Sequence, residues 1–356
     1  MFWPELSSRG RVIILRVASR SSLLVAMLAV GCVVQLAGAQ SRNDDRSSRT
    51  TRTARVARNN DNETRLDTTV TVERGTIVDV SASDGRIIVR GWDRNEVEIH
   101  AVSESGELQF TRSARSVRLE ARRGGRSKTL DANITMRVPL NTRVVVGTMR
   151  GDVEILDVRG EVDARLYSGT IAIRGASGRT AVSNVSGDIT LSDIEGAVQV
   201  NAISGEMLLS DVRGDVVVTS NSGDVSMRGL VSNSVRVQVV EGEIMYDGAL
   251  SKTGKYEFNT HSGAVHLYLP DSTSGTIQLQ SFNGSLHSTL PLVMQPRSNA
   301  SRAPVASGRQ LNGRTMSLNQ LQKLEIGGGN GALVTISTFN GDVHINRGPR
   351  RPDRDL

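Results

Sequence analysis

At 356 residues, with 35 glycines, 8 prolines and 3% aromatic residues, the chain lacks the Phe, Tyr and Trp that fill a wide globular core and suits a narrow one built from Val, Ile and Leu. Its single cysteine, Cys32, excludes an internal disulfide framework, so stability must come from packing and hydrogen-bond ladders. The formal charge of +6 is confined to the ends: residues 66–346 hold 28 basic against 30 acidic side chains, with no basic face interleaved with aromatics, which argues against a nucleic-acid partner.

Residues 1–39 read as a signal peptide. Arg9, Arg11, Arg16 and Arg20 precede the apolar run Leu23–Leu36, and Ala-Gly-Ala stands before Gln40, the order of charge, apolar stretch and small residues that an export signal carries. Cleavage is expected after Ala39, with the chain exported to the periplasm, the outer-membrane surface or the medium. Lipidation at Cys32 in "LAVGC" competes, but Ala29 stands where Leu is usual and apolar residues continue beyond the cysteine. Residues 40–65 follow as an expected disordered tether; 41–65 carries 7 Arg against 4 acids. Contact of this tether with anionic lipid is conceivable on charge alone, and a solvated linker is the plainer account.

An all-β reading begins at residue 66. In 66–145, expected to be an atypical cap, "GRIIVRGWDRNEVEIHA" places Ile87, Val89 and Trp92 two, four and seven residues after Gly85, with Val97 and Ile99 as a following strand. The regular repeats span 146–250. Glycine recurs at 151, 160, 169, 178, 187, 196, 205, 214 and 223, a spacing of nine. Apolar residues follow each at offsets of two, four and seven, as in Ile189, Leu191 and Ile194 after Gly187. Two apolar residues around one polar residue make a short strand with one buried face. The third is read as inward-pointing in the bend, Tyr167 included.

The true period is 18. Ser precedes Gly169, Gly187, Gly205 and Gly223 but not the alternate glycines, and Asp157, Asp193 and Asp211 mark every second bend, with Gly175 and Gly229 in the same place. Two strands and two unlike turns per repeat predict a parallel β-solenoid, each strand pairing with its equivalent one coil on. Antiparallel hairpins at the same spacing are the alternative, and they do not readily account for apolar residues in every bend. Residues 251–347 are expected to supply C-terminal coils and a second cap around Gly263, Gly284 and Gly341, with a mobile polar loop at 295–315 and a disordered tail at 348–356.

Together, "GRIIVRGWDRNEVEIHA", "MRVPLNTRVVVGTMRGDVEI", the Ser-Gly-Asp repeats and "IGGGNGALVTISTFNGDVHINR" resemble the bacterial putative adhesin family, exported or membrane-tethered β-strand-repeat domains. The resemblance covers 66–347. It implies an all-β repeat fold and brings no catalytic residues with it.

Chemistry in the sequence is sparse. Asp152, Asp188, Glu206 and Asp224 each follow a glycine and should stack in a column, interrupted by Thr170. Oxygen ligands suit Ca²⁺, but the calcium-binding nonapeptide has a different glycine and aspartate pattern, and turn carboxylates accepting backbone N–H groups explain the column without metal. His266, His287 and His344 each lie three residues after a glycine, on the outward face, where imidazoles of neighbouring coils could take Zn²⁺ or Cu²⁺. Only two of them belong to successive sequence units and no acid completes the set, so no metal site and no cofactor is assigned. "GGGNG" at 327–331 lacks the Lys-Ser/Thr of a phosphate loop, and no nucleophile–base pair emerges. The expected function is a non-enzymatic envelope adhesin or interaction module with a protein or glycan ligand. The alternatives are a β-helical polysaccharide lyase or hydrolase, which needs clustered carboxylates and sugar-stacking aromatics, and a calcium-stabilised surface repeat.

Overall fold

A computed structural model describes residues 55–58, 63–104, 106–123, 131–295, 310–311, 315–318 and 321–348. The expected signal peptide, most of the expected tether, the greater part of the expected 295–315 loop and residues 349–356 lie outside them.

Strand pairing follows the repeat. Ile171–Arg174 lies parallel between Val153 to Leu156 and Ile189 to Ser192, and Thr180–Ser186 lies parallel between Val162–Ser168 and Val198–Ser204, always with a register of 18 residues. The backbone ladder runs from coil to coil, as in Ile189 N–H to Glu206 C=O at 2.9 Å. These registers exclude the hairpin alternative for the repeats. The protein is an all-β parallel solenoid of two-strand coils, with no helix among the described residues.

Two kinds of corner close each coil. At one, glycine is required: a Cβ on Gly187, where φ is +115°, would stand 2.2 Å from the carbonyl oxygen of Gly169 in the preceding coil. At the other, Asp157, Asp193 and Asp211 adopt φ of 53–56°, and Gly175 and Gly229 take φ of 68° and 66° in the equivalent place. Asp tolerates this left-handed region better than most residues, which is why it alternates with glycine here.

Between the corners the inward row is aliphatic. Ile189, Leu191, Val198 and Val200 are buried, as are their counterparts in neighbouring coils. The core admits larger rings where the register lengthens: Val225 pairs with Ile244 and Ile244 with Val265, and Tyr246, Tyr256 and Phe258 are buried in this wider section. Their hydroxyls are satisfied, Tyr256 donating to the Ser232 carbonyl at 2.7 Å and Tyr246 to the Ala249 carbonyl at 3.2 Å.

The ends depart from chain order. Ile77–Trp92 is the coil on which Arg143–Leu156 stacks, while Ser116–Arg123 and Ala132–Pro139 pair with its opposite edge, outside it. At the far end, Ala332–Asn340 and Val343–Arg347 insert between the coil of 255–269 and Gly275–Ser288. Antiparallel strands then cover both edges. Glu96–Ser103 and Thr64–Thr71 extend one end, and Gln322–Ile326, Leu292–Met294 and Thr315–Leu318 the other, leaving short, protected edges.

Two expected boundaries shift. Arg55–Arg58, placed in the tether by its composition, pairs antiparallel with Thr64 to Asp67, where the edge of that strand offers backbone partners. Gln310–Leu311, inside the expected mobile loop, pairs with Leu292 and Val293.

Candidate functional site

Strand alternation turns every outward position into a row running along the stack, one side chain per coil. Three rows have chemistry to weigh.

The acids Asp152, Asp188, Glu206 and Asp224 are exposed and occupy one such row. Three of the four, Asp152, Asp188 and Asp224, are engaged by the next coil. Asp188 Oδ1 accepts the backbone N–H of Glu206 at 3.0 Å, Asp224 Oδ1 accepts that of Glu243 at 2.8 Å, and Asp152 Oδ1 accepts the Thr170 hydroxyl at 2.5 Å. These carboxylates tie successive coils together at the glycine corner. Asp342, which the wider C-terminal spacing hides in the sequence, belongs to the same row. Its Oδ1 accepts both the N–H and the hydroxyl of Ser285 at 2.8 Å, and these bonds hold its carboxyl below the usual range.

The histidines are brought closer together than their order suggests. Because the last coil is intercalated, His344 sits between His266 and His287 in register. The His266 and His344 rings stack at 4.7 Å and 5°, and His287 lies 6.0 Å from His344 at 53°. Parallel imidazoles 4.7 Å apart direct their nitrogen lone pairs side by side, whereas one ion at about 2.0–2.1 Å from each needs them to converge. Among the described residues no group of three or more His, Cys, Asp or Glu is arranged to hold a metal ion. Burial, with electrostatic repulsion from the neighbouring His266 next in effect, pushes the His344 imidazole below its ordinary value.

The third row faces the opposite way from the sequence expectation. Tyr167 does not point inward; it is 58% exposed. Seven residues after glycine, the side chain is buried only at the corner with the left-handed residue: Val158, Ala176, Ile194, Val212 and Leu230 are all inside. There the left-handed residue at offset six resets the alternation. At the other corner no such residue intervenes, so Val162, Ala164 and Leu166 stay inward and Tyr167 faces out. The rule repeats along the stack. Met149, Tyr167, Val185 and Ile203 stand in succession, then Asn221, then Val240, His261, Phe339 and Phe282, by the registers of the flanking residues. At the far end His261 stacks on Phe339 at 4.8 Å and Phe339 on Phe282 at 5.0 Å.

Beside this apolar ridge runs a groove. Its other wall is a row of uncharged polar side chains, with Ser183, Asn201, Thr219, Gln238, Asn259 and Ser337 among them, and its two stretches enclose about 620 and 670 Å³. Among the described residues Arg165 is the single charged one lining either stretch. Inward-facing polar groups under the groove secure the corner: Asn184 Nδ2 donates to the Gly169 and Gly187 carbonyls at 3.1 and 2.9 Å. A long, open and neutral surface of this kind can bind along its length, and its lining holds no carboxylate pair for acid–base chemistry.

No curated protein matches the chain. Among solved structures, it is similar to a putative cell adhesion protein from Clostridium sporogenes, at 13% identity over 80% of this chain and 99% of that one, with a TM-score of 0.19. The Toastrack DUF4097 family matches residues 47–346, nearly the whole of the strand-bearing region, and the chain belongs to that family.

Proposed function

We infer that the chain is a non-enzymatic, exported envelope protein that acts as an adhesin or interaction module. The observation that carries this reading is the open ridge and groove, which repeats one side-chain pattern from coil to coil without enclosing a pocket; rigid stacks of this kind suit extended binding surfaces. Export rests on the amino-terminal run of Arg9 to Arg20, Leu23–Leu36 and Ala-Gly-Ala. The partner is a protein or glycan of the cell envelope.

A polysaccharide-active enzyme is the second reading, because Tyr167, Phe282 and Phe339 are exposed aromatics beside a groove. Against it, no carboxylate lines the groove among the described residues. Cell fractionation, together with binding of the purified chain to envelope preparations and to a polysaccharide panel with product detection, tests both. Envelope or medium location with binding and no turnover is expected. Cytoplasmic recovery, or turnover of any polysaccharide, would overturn the proposal.

A further inference from the structure

We propose that the ridge and groove form a self-complementary interface through which two copies of this chain pair side by side, in parallel. This rests on reading the chain as an interaction module and names one partner for it.

The first argument is spacing. Side chains on the ridge repeat once per coil, about 4.8 Å, the distance between adjacent strands. An extended peptide repeats its same-side residues at about 6.6–6.8 Å and drifts out of step within a few residues. Another stack of coils stays in step throughout.

The second is chemistry. The strip is neutral, with amide and hydroxyl side chains along one wall and Met149, Tyr167, Ile203, Val240, Phe339 and Phe282 along the other. Ladders of amides and stacked rings are what two β surfaces use to close dry against each other, and among the described residues lining the groove only Arg165 brings a charge to that closure. A sugar finds less here: the rings of His261, Phe339 and Phe282 are stacked face to face, so the middle ring has both faces covered and an end ring one.

The third is area. From their exposures of 44–71%, these six side chains present roughly 600–700 Å² of mostly apolar surface, close to the ~800 Å² per partner of a stable interface and above the largest patch of an ordinary monomer.

Shape fixes the orientation. Ridge and groove run next to each other along the stack, so a two-fold axis parallel to the stack sets each ridge into the other copy's groove, an isologous contact. A two-fold across the stack would set ridge on ridge and bring the two acidic rows to the same side. In the parallel pair Asp188, Glu206 and Asp224 of each copy lie away from those of the other. Both chains then run in the same direction, as two molecules on one envelope surface would.

Sedimentation equilibrium of the purified chain tests the pairing. A dimer dissociating in the micromolar range is expected. Tyr167→Lys and Ile203→Lys should weaken it at least tenfold with the melting temperature unchanged, and Ser192→Lys on the opposite face should leave it intact. Should either Lys variant unfold, Tyr167→Ser and Ile203→Thr read the same surface. Orientation is read by disulfide trapping in a Cys32→Ser background: Met149→Cys should cross-link to itself, since an antiparallel pair would separate the two sites by about 38 Å, eight strand spacings. A monomer at 100 μM, or a dimer that the ridge variants leave unchanged, overturns the proposal. Should that monomer still bind envelope preparations, only the pairing fails and the interaction reading stands. A monomer retained by a neutral polysaccharide in a ridge-dependent way would assign the strip to glycan instead.

Discussion

Val200→Asp is the sharpest perturbation of the core. Val200 has 0% of its surface exposed and stands in register between Val182 and Val218, both fully buried. Removing the valine side chain forfeits about 1.5–3 kcal/mol of burial. The carboxylate that replaces it faces the aliphatic side chains of Val182 and Val218, at a further cost of about 3–5 kcal/mol. The sum, roughly 5–8 kcal/mol, approaches the whole stability of a typical domain. In a stack whose coils contact only their neighbours, the loss should centre on residues 180–228. One residue along, Gln199 faces outward and its Oε1 accepts a hydrogen bond from Arg179 Nη2 at 2.8 Å. A carboxylate there finds a cation, so Gln199→Asp should change stability by less than about 0.5 kcal/mol. Urea unfolding followed by far-ultraviolet circular dichroism compares the two. Equal destabilisation by both variants would refute the inward and outward assignment on which the core and the ridge both depend.

Three further outcomes follow from the corners, the histidines and the acids. Gly187→Ala should cost at least about 2 kcal/mol, because its Cβ would overlap the Gly169 carbonyl, whereas Gly147→Ala, with nothing within 4 Å and no positive φ, should be neutral; chemical denaturation separates them. Since the folded protein holds the His344 imidazole below its ordinary value, the unfolded chain takes up that proton first; stability should therefore be full above about pH 6.5 and fall as the pH drops below it. His344→Gln should flatten that slope in urea midpoints measured between pH 5 and 8, and an unchanged slope would count against it. EDTA should leave the melting temperature unchanged, because backbone and side-chain donors of the next coil already engage Asp152, Asp188 and Asp224; a fall reversed by Ca²⁺ would reinstate a bound ion.

The sequence displays the regular stack openly because every coil solves the same problem with the same residues. Gly187 must be glycine wherever a neighbouring carbonyl occupies the space of a Cβ, so spacing alone reveals strand, corner and register. The ridge was also within reach. Asp or Gly at offset six marks the corner that resets alternation, while Leu166, Asn184, Ala202 and Ser220 mark the corner that does not. Treating the two bends alike put Tyr167 on the wrong side. The intercalated last coil was harder to read. Gly263, Gly284 and Gly341 carry no sign of their stacking order, and only the likeness of "SFNGSLH" to "STFNGDVH" hints that Phe282 and Phe339, and His287 and His344, lie on adjacent coils. Long-range insertion is decided by edges and loops whose partners are remote in sequence.

That insertion bears on how the molecule is made. From residue 143 to 269 each coil emerging from the ribosome finds the preceding one already laid down, so folding can advance in step with synthesis. The next segment, 275–288, does not rest on the coil before it: its parallel partner is 332–347, which follows only after residues 289–331, whose strands Thr315–Leu318 and Gln322–Ile326 cover its other edge. Ile277, Leu279 and Leu286, buried in the finished protein, are left without that bed until residues 332–347 have been added, and pairing across so long a separation is the kind of contact that slows folding. Truncation or proteolysis between 289 and 331 should strand this segment as an aggregation-prone end. Once in place, however, Val343–Arg347 is clasped between the strands of 265–269 and 286–288, so this end of the array cannot peel away one repeat at a time in sequence order.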